Sequence, residues 1–188
     1  MQAARGAPIT IVENQAGARA VRSVEEPRGA RAVMAATALA GVVLDQSSKA
    51  LAVARLDPEN PPRLLGGLLR LQLIRNPGAA FSLGSGATVV ISLLALAAAL
   101  AMVLVVAPRL QQRWQGLLAG LATAGIVGNL LDRLLRPPGV LRGHVVDFFQ
   151  LPHFAIFNVA DIFITLTAVV LVVLAFRGEG EDREQERR

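Results

Sequence analysis

The 188-residue chain is 53% hydrophobic and 18% charged, a balance more apolar than a soluble domain of this length carries, which leaves a bilayer as its solvent. Its formal net charge of +5 comes from arginines at the termini and in short connections, with no aromatic-interleaved patch, so nucleic acid is excluded as a partner and membrane lipids are expected instead. Cysteine and tyrosine are absent and His144 and His153 are the only histidines, which removes disulfides and thiolate chemistry and leaves aspartate as the leading group for proton transfer.

Residues 1–31 are rich in Ala, Gly, Arg and Glu without periodicity, and are expected to form a disordered cytoplasmic tail. Arg28 and Arg31 precede an apolar run, but no small-residue cleavage site closes it, so the run is expected to be a retained span. Four apolar segments follow, at 32–54, 87–107, 114–135 and 154–176, each near the roughly 20 residues a spanning helix needs. Residues 177–188 form a charged tail, expected in the cytoplasm with the first. The predicted fold is a membrane all-α bundle of four transmembrane helices over 32–176, with a small β-containing extracytoplasmic platform. The platform is expected from the connection 55–86, where 68–74 partly alternates around Arg70 and Gln72 and Asn76-Pro77-Gly78 signals a turn.

Only the second segment is free of charge. The first uncharged stretch, 32–44, is too short to cross alone and draws Asp45 and Lys49 into its last turns; the third ends on Asp132 and Arg133, and the fourth takes Asp161 into its opening turns. Charges at membrane depth are costly and each asks for a reason. Four spans put both termini on one side, so Asp45, Asp132 and Asp161 share the opposite face, and the two connections on that face bring Asn76 and Asp147 to the same level. Arg19, Arg22, Arg28 and Arg31 before the first span, with Arg109 and Arg113 between the second and third, assign the termini to the cytoplasm. Arg55, Arg63, Arg70 and Arg75 on the far side dilute that bias.

Asp147 stands in the apolar stretch Val145-Val146-Asp147-Phe148-Phe149 and Asp161 in Phe157-Asn158-Val159-Ala160-Asp161. Burial raises a carboxyl pKa, and a second carboxyl nearby raises one of the two further, so such a pair tends to hold one proton. A pair in that state can activate water and polarise a peptide carbonyl, the arrangement of an aspartyl peptidase. The two titrate as a unit, so the sequence does not say which is base and which is acid. Plainer roles compete: Asp161 as a helix cap, Asp147 in a solvated turn, and Asp45 with Lys49 as a local pair four residues apart. Asn129, Asp132 and Arg133 could position either the pair or a substrate carbonyl. His144 and His153 show no metal-ligand spacing with Asp147, and neither metal nor cofactor is expected.

Five stretches together resemble the lipoprotein signal peptidase (type II signal peptidase) family over about 32–176: Asp45-Gln46-Ser47-Ser48-Lys49, Asn76-Pro77-Gly78-Ala79-Ala80-Phe81-Ser82, Gly128-Asn129-Leu130-Leu131-Asp132-Arg133, Val145-Val146-Asp147-Phe148 and Phe157-Asn158-Val159-Ala160-Asp161. The resemblance implies a catalytic pair at Asp147 and Asp161, with supporting or substrate-contacting roles for Asp45, Lys49, Asn76, Gly78, Asn129, Asp132, Arg133 and Asn158. It implies a diacylglyceryl-modified prolipoprotein as substrate, cleaved before the lipidated cysteine at the outer face of a bacterial inner membrane. Ile162 departs from the small hydroxyl residue often found after the second aspartate in that family, and the long N-terminal tail has no counterpart there. A proton-coupled transporter would spread its acids through the membrane depth, whereas these collect at one face; a non-enzymatic anchor would leave the polar clusters without use. Nothing demands more than a monomer.

Overall fold

The computed structural model describes residues 27–78 and 84–186. The tail ahead of Pro27, with Arg19 and Arg22, and the part of the turn motif that includes Phe81 and Ser82 lie outside the described residues. Four long helices carry the fold: α1 (Pro27–Arg55), α2 (Gly84–Ala101), α3 (Arg113–Leu135) and α4 (Val159–Glu186). Stretches at Thr88–Arg109, Arg113–Leu135 and Val159–Arg177, of 22, 23 and 19 residues, are long and apolar enough to cross a membrane. With Asp45 and Lys49 in its second half, α1 is not among these three.

Boundaries differ from expectation for local reasons. Pro27–Arg31, expected in the tail, is helical; Pro fits a first turn, where its missing N–H would be an orphan in any case, and Ala30 is buried against α3. The second helix widens into a π turn at Met102–Val106 and closes with a 3-10 turn at Ala107–Arg109. Pro108 cannot donate to the carbonyl four residues behind it, and the ladder loosens just ahead of it. The fourth helix starts at Val159 and not at 154, because Phe157 is held in a bridge with Phe149. It then continues into the segment expected as a charged tail, where Glu, Arg and Gln are good helix formers.

The tightest packing joins α1 to α3. Residues Gly116, Gly120, Ala124 and Gly128 recur every four positions on α3 and form a seam of small side chains. A Cβ on Gly120 would stand 2.6 Å from the Thr37 Cβ and 2.8 Å from the Met34 carbonyl oxygen; one on Gly128 would stand 2.5 Å from the Asp45 Oδ2. The Ala124 methyl already fills the space at Gly41. Contacts advance in the same direction along both helices, so α1 and α3 run parallel, and their register brings Asp45 level with Gly128. On a neighbouring face of α3, Gly125 admits the Ala160 carbonyl and the Ile164 side chain of α4.

Beyond the ends of the helices sits an antiparallel sheet of β1 (Arg63–Leu64), β2 (Leu69–Asn76) and β3 (Val145–Gln150) in that spatial order. The β-containing platform is therefore present, with Asp147 in a strand where a loop was expected. Val146 and Phe148 pack with Ala52, Val53 and Leu56 at the end of α1, which turns Asp147 to the other face. Pairing advances from Leu71 opposite Phe149 to Ile74 opposite Asp147. This gives β2 one extra residue, a bulge that puts Asn76 and Asp147 on one face as diagonal neighbours.

The seam makes a direct prediction. Gly120→Val should lower the thermal stability of the purified protein by about 1–3 kcal/mol through overpacking, while Gly139→Ala, whose Cβ would meet nothing within 4 Å, should leave it unchanged. Thermal melts followed by circular dichroism in detergent check both, and equal melting points would remove the close-packing argument.

Candidate active site

At one end of the bundle α3 presents Asn129, Asp132, Arg133 and Arg136, spaced three, one and three apart and so on one helical face. From α1 comes Lys49, fully buried, its Nζ 2.9 Å from each of three oxygens: Asp45 Oδ2, Asp132 Oδ2 and Asn129 Oδ1. An ammonium has three N–H donors, and here each has an acceptor. The remaining oxygens of the two carboxylates fasten other elements. Asp45 Oδ1 accepts from the Ala160 N–H at 2.9 Å, satisfying an orphan amide in the first turn of α4. Asp132 Oδ1 accepts from Arg136 Nε at 2.5 Å, and Asp132 Oδ2 also from the Val146 N–H at 3.2 Å, which pins β3 beside Asp147. Gln46 Nε2 bridges Asp45 Oδ2, the Gly128 carbonyl and Asp132 Oδ1.

This cluster orients the residues that hold Asp147 and Asp161. Asn158 precedes the first residue of α4. Its Oδ1 accepts from the Asp161 N–H, and its own N–H donates to Asp161 Oδ2, both at 3.1 Å, a reciprocal capping box. The other Asp161 oxygen accepts from Asn129 Nδ2 at 2.8 Å. Asn158 Nδ2 donates to Asp147 Oδ1 at 2.5 Å, and Asn76 Nδ2 to Asp147 Oδ2 at 2.9 Å. Asn76 is held for this by the Gly78 N–H, which donates to its Oδ1; Gly78 has a φ of 99°, a conformation that favours glycine. Asp147 is buried, and burial, reinforced by the nearby Asp161 charge, lifts its pKa from 3.8 to about 6 against the lowering effect of the Asn76 and Asn158 hydrogen bonds.

Asp45, Lys49, Asn76, Gly78, Asn129, Asp132, Arg133, Asp147, Asn158 and Asp161 all lie in or beside this constellation. Asp45 and Lys49 do form their four-apart ion pair, within a larger network, and Asp161 does cap its helix. Arg133 is 8% exposed, with an Nη1 that has no hydrogen-bond partner among the described residues, and it lies within the electrostatic reach of Asp132, Asp147 and Asp161. Two participants were missed. Arg136 stands four residues after Asp132 on one helix, a spacing that could have found it; Gln46 acts across α1 and α3, which no local pattern reveals.

Comparison with known proteins places the chain in a family. The sequence profile of the family described as signal peptidase (SPase) II matches residues 37–177. The chain belongs to the signal peptidase II family. It is 43% identical over 151 residues to the lipoprotein signal peptidase of Leifsonia xyli subsp. xyli, covering 80% of this chain and 69% of that one. The lipoprotein signal peptidase of Bifidobacterium adolescentis is 45% identical over 142 residues, covering 76% and 75%. Among solved structures, a bacterial membrane enzyme determined by the in meso method at 1.9 Å resolution aligns with a TM-score of 0.67 at 24% identity, over 76% of this chain and 91% of that one. A second, at 2.3 Å, aligns with a TM-score of 0.68 over 79% and 90%; both likenesses concern the fold. Signal peptidase II membership makes this chain a membrane protease, and hydrolysis of a peptide bond is the reaction its residues must serve.

Lys49→Met should unfold the protein at markedly lower temperature, because it leaves Asp45 and Asp132 buried without their shared cation; the loss of one partner from a buried ion pair costs about 3–5 kcal/mol. A melting temperature within a degree or two of the parent would show that the ammonium is not what holds the cluster.

Proposed function

We propose that the chain is an intramembrane aspartyl endopeptidase that removes the signal peptide from diacylglyceryl-modified prolipoproteins, cutting on the amino side of the lipidated cysteine with water activated by Asp147 and Asp161. The observation that carries this reading is the double grip of Asn158: its side chain donates to Asp147 and its backbone N–H to Asp161, so one residue bridges two acids, one from a strand and one from a helix.

The chemistry follows from a pair that holds one proton. The ionised carboxylate takes a proton from water as the water oxygen bonds to the scissile carbonyl carbon, while the protonated carboxyl donates to the carbonyl oxygen. Collapse of the tetrahedral species breaks the C–N bond, and a proton passes to the departing amine, so the elements of one water molecule are divided between the two products. Arg133, whose Nη1 has no hydrogen-bond partner among the described residues, is suited to meet the negative charge that grows on the carbonyl oxygen. Asp45, Lys49, Asn76, Gly78, Asn129, Asp132 and Asn158 hold these groups in position.

In this reading α1 is the fourth span, its charged residues turned onto α3. The termini are cytoplasmic, the membrane is the bacterial inner membrane, and the site lies near its outer face, where acyl chains of the substrate can stay in lipid while the peptide reaches the two acids. Anchoring the substrate there supplies proximity before bond breaking begins. A single chain provides every group named.

Asp147→Asn and Asp161→Asn should each reduce kcat on a diacylated precursor peptide by roughly 10²–10⁴-fold, the scale of lost acid–base catalysis, with unchanged helical circular dichroism. Normal cleavage by either purified variant would remove the two-acid mechanism. The pH dependence supplies a separate check. With Asp147 titrating at about 6, the one-proton form of the pair is lost as pH rises through that value, so kcat/KM, which reads the free enzyme, should fall on an alkaline limb within about a unit of 6. A flat profile from pH 5 to 8 would contradict the shared proton.

A further inference from the structure

The β1–β2 hairpin has properties that the peptidase site does not use. Arg63 on β1 is the cross-strand partner of Arg70 on β2, and Arg70 is in turn the partner of Gln150 on β3. Like charges set directly opposite each other are unfavourable, yet among the described residues no carboxylate pairs with either arginine. The three residues line a cavity of about 210 Å³ together with Gly67, Leu151 and Pro152. The Arg70 Nε and the Gln150 Oε1 are buried without hydrogen-bond partners among the described residues; the Gln150 amide can turn to present its N–H₂ instead.

The tip of the same hairpin is apolar and exposed. Leu64, Leu65 and Leu68 are 43%, 75% and 58% accessible. Leu65 has a φ of 52°, an uncommon conformation for a bulky residue. A strained backbone that holds a leucine away from the protein's own core points to something outside the protein.

We propose that this hairpin docks an anionic phospholipid: Arg63 and Arg70 grip the phosphate, and Leu64, Leu65 and Leu68 enter the acyl region beside it. Two guanidinium groups in register match a phosphate's oxygens, and a cationic pocket flanked by an apolar tip matches the two halves of a lipid at its interface. The same contact would fix the height of the platform against the bilayer surface.

The test uses the full-length protein in nanodiscs of phosphatidylcholine containing graded phosphatidylglycerol, with the lipid retained on release read by native mass spectrometry. Arg63→Gln/Arg70→Gln should weaken phosphatidylglycerol retention on the order of thirtyfold, from the attraction expected for two basic residues at an anionic surface, and leave phosphatidylcholine retention unchanged. Arg63→Lys/Arg70→Lys, which keeps the charge, should retain a clear preference for phosphatidylglycerol and guards against misfolding of the glutamine pair. Leu65→Asn, tolerant of positive φ, should weaken both lipids alike. Parental phosphatidylglycerol retention in the glutamine pair overturns the proposal. So does inorganic phosphate binding to the detergent-solubilised protein as tightly as the lipid, which would assign the pocket to a free anion. The readout is lipid binding, so its failure and a failure of the peptidase reading are told apart.

Discussion

An ammonium group buried among three oxygens organises this protein. Taking Lys49 out of water costs several kcal/mol, and that cost is offset only if every N–H donor finds a good acceptor at close range. Asp45, Asp132 and Asn129 supply those acceptors, and they can do so only because α1 and α3 approach closely along the Gly116, Gly120, Ala124 and Gly128 seam. The packing and the polar cluster therefore depend on each other. The small residues set the register, and the register decides which carboxylates face the ammonium.

From that cluster outward, the bonds that start α4 also orient the acids proposed to act on the substrate. As a residue of the first turn, Asp161 caps α4 through Asn158, and the same hydrogen bonds fix the rotamer that turns its second oxygen to Asn129. Asp45 answers Lys49 with one oxygen and the Ala160 amide with the other, so an ion pair inside α1 also decides where α4 begins. Capping is thus compatible with the acid–base role proposed for Asp161. A carboxylate whose position is fixed by a helix start is held more rigidly than one on a loop, as an acid–base group requires.

Much of this was legible because charges inside apolar segments are expensive and must find one another. The expected count of four spans puts Asp45, Asp132 and Asp161 on one face, and the structure joins Asp45 to Asp132 through Lys49 and to the first turn of α4 through the Ala160 amide. The strand carrying Asp147 was not legible: Val145-Val146-Asp147-Phe148-Phe149 shows no clean alternation, and its partner Leu69–Asn76 lies some seventy residues earlier in the chain. Nor could local pattern show the bulge between Leu71 and Ile74, on which the meeting of Asn76 with Asp147 depends. The start of α4 was placed too early because Phe154 and Ile156 are apolar; what delays the helix is a tertiary bridge from Phe157 to Phe149.

The charge balance of the site bears on the proton proposed to be shared by Asp147 and Asp161. Lys49, Arg133 and Arg136 bring three positive charges to a region where Asp45, Asp132, Asp147 and Asp161 could bring four negative ones. Asp45 and Asp132 are in direct contact with Lys49 and, for Asp132, with Arg136. Asp147 and Asp161 receive their direct hydrogen bonds instead from the uncharged amides of Asn76, Asn129 and Asn158. In the proposed mechanism, one proton on the Asp147 and Asp161 pair offsets the charge that these acids would otherwise bring to a poorly solvated place. The asparagines are what permit this: arginines in their place would hold both acids ionised, whereas amides can serve a carboxylate and, by donating or accepting, a carboxyl as well.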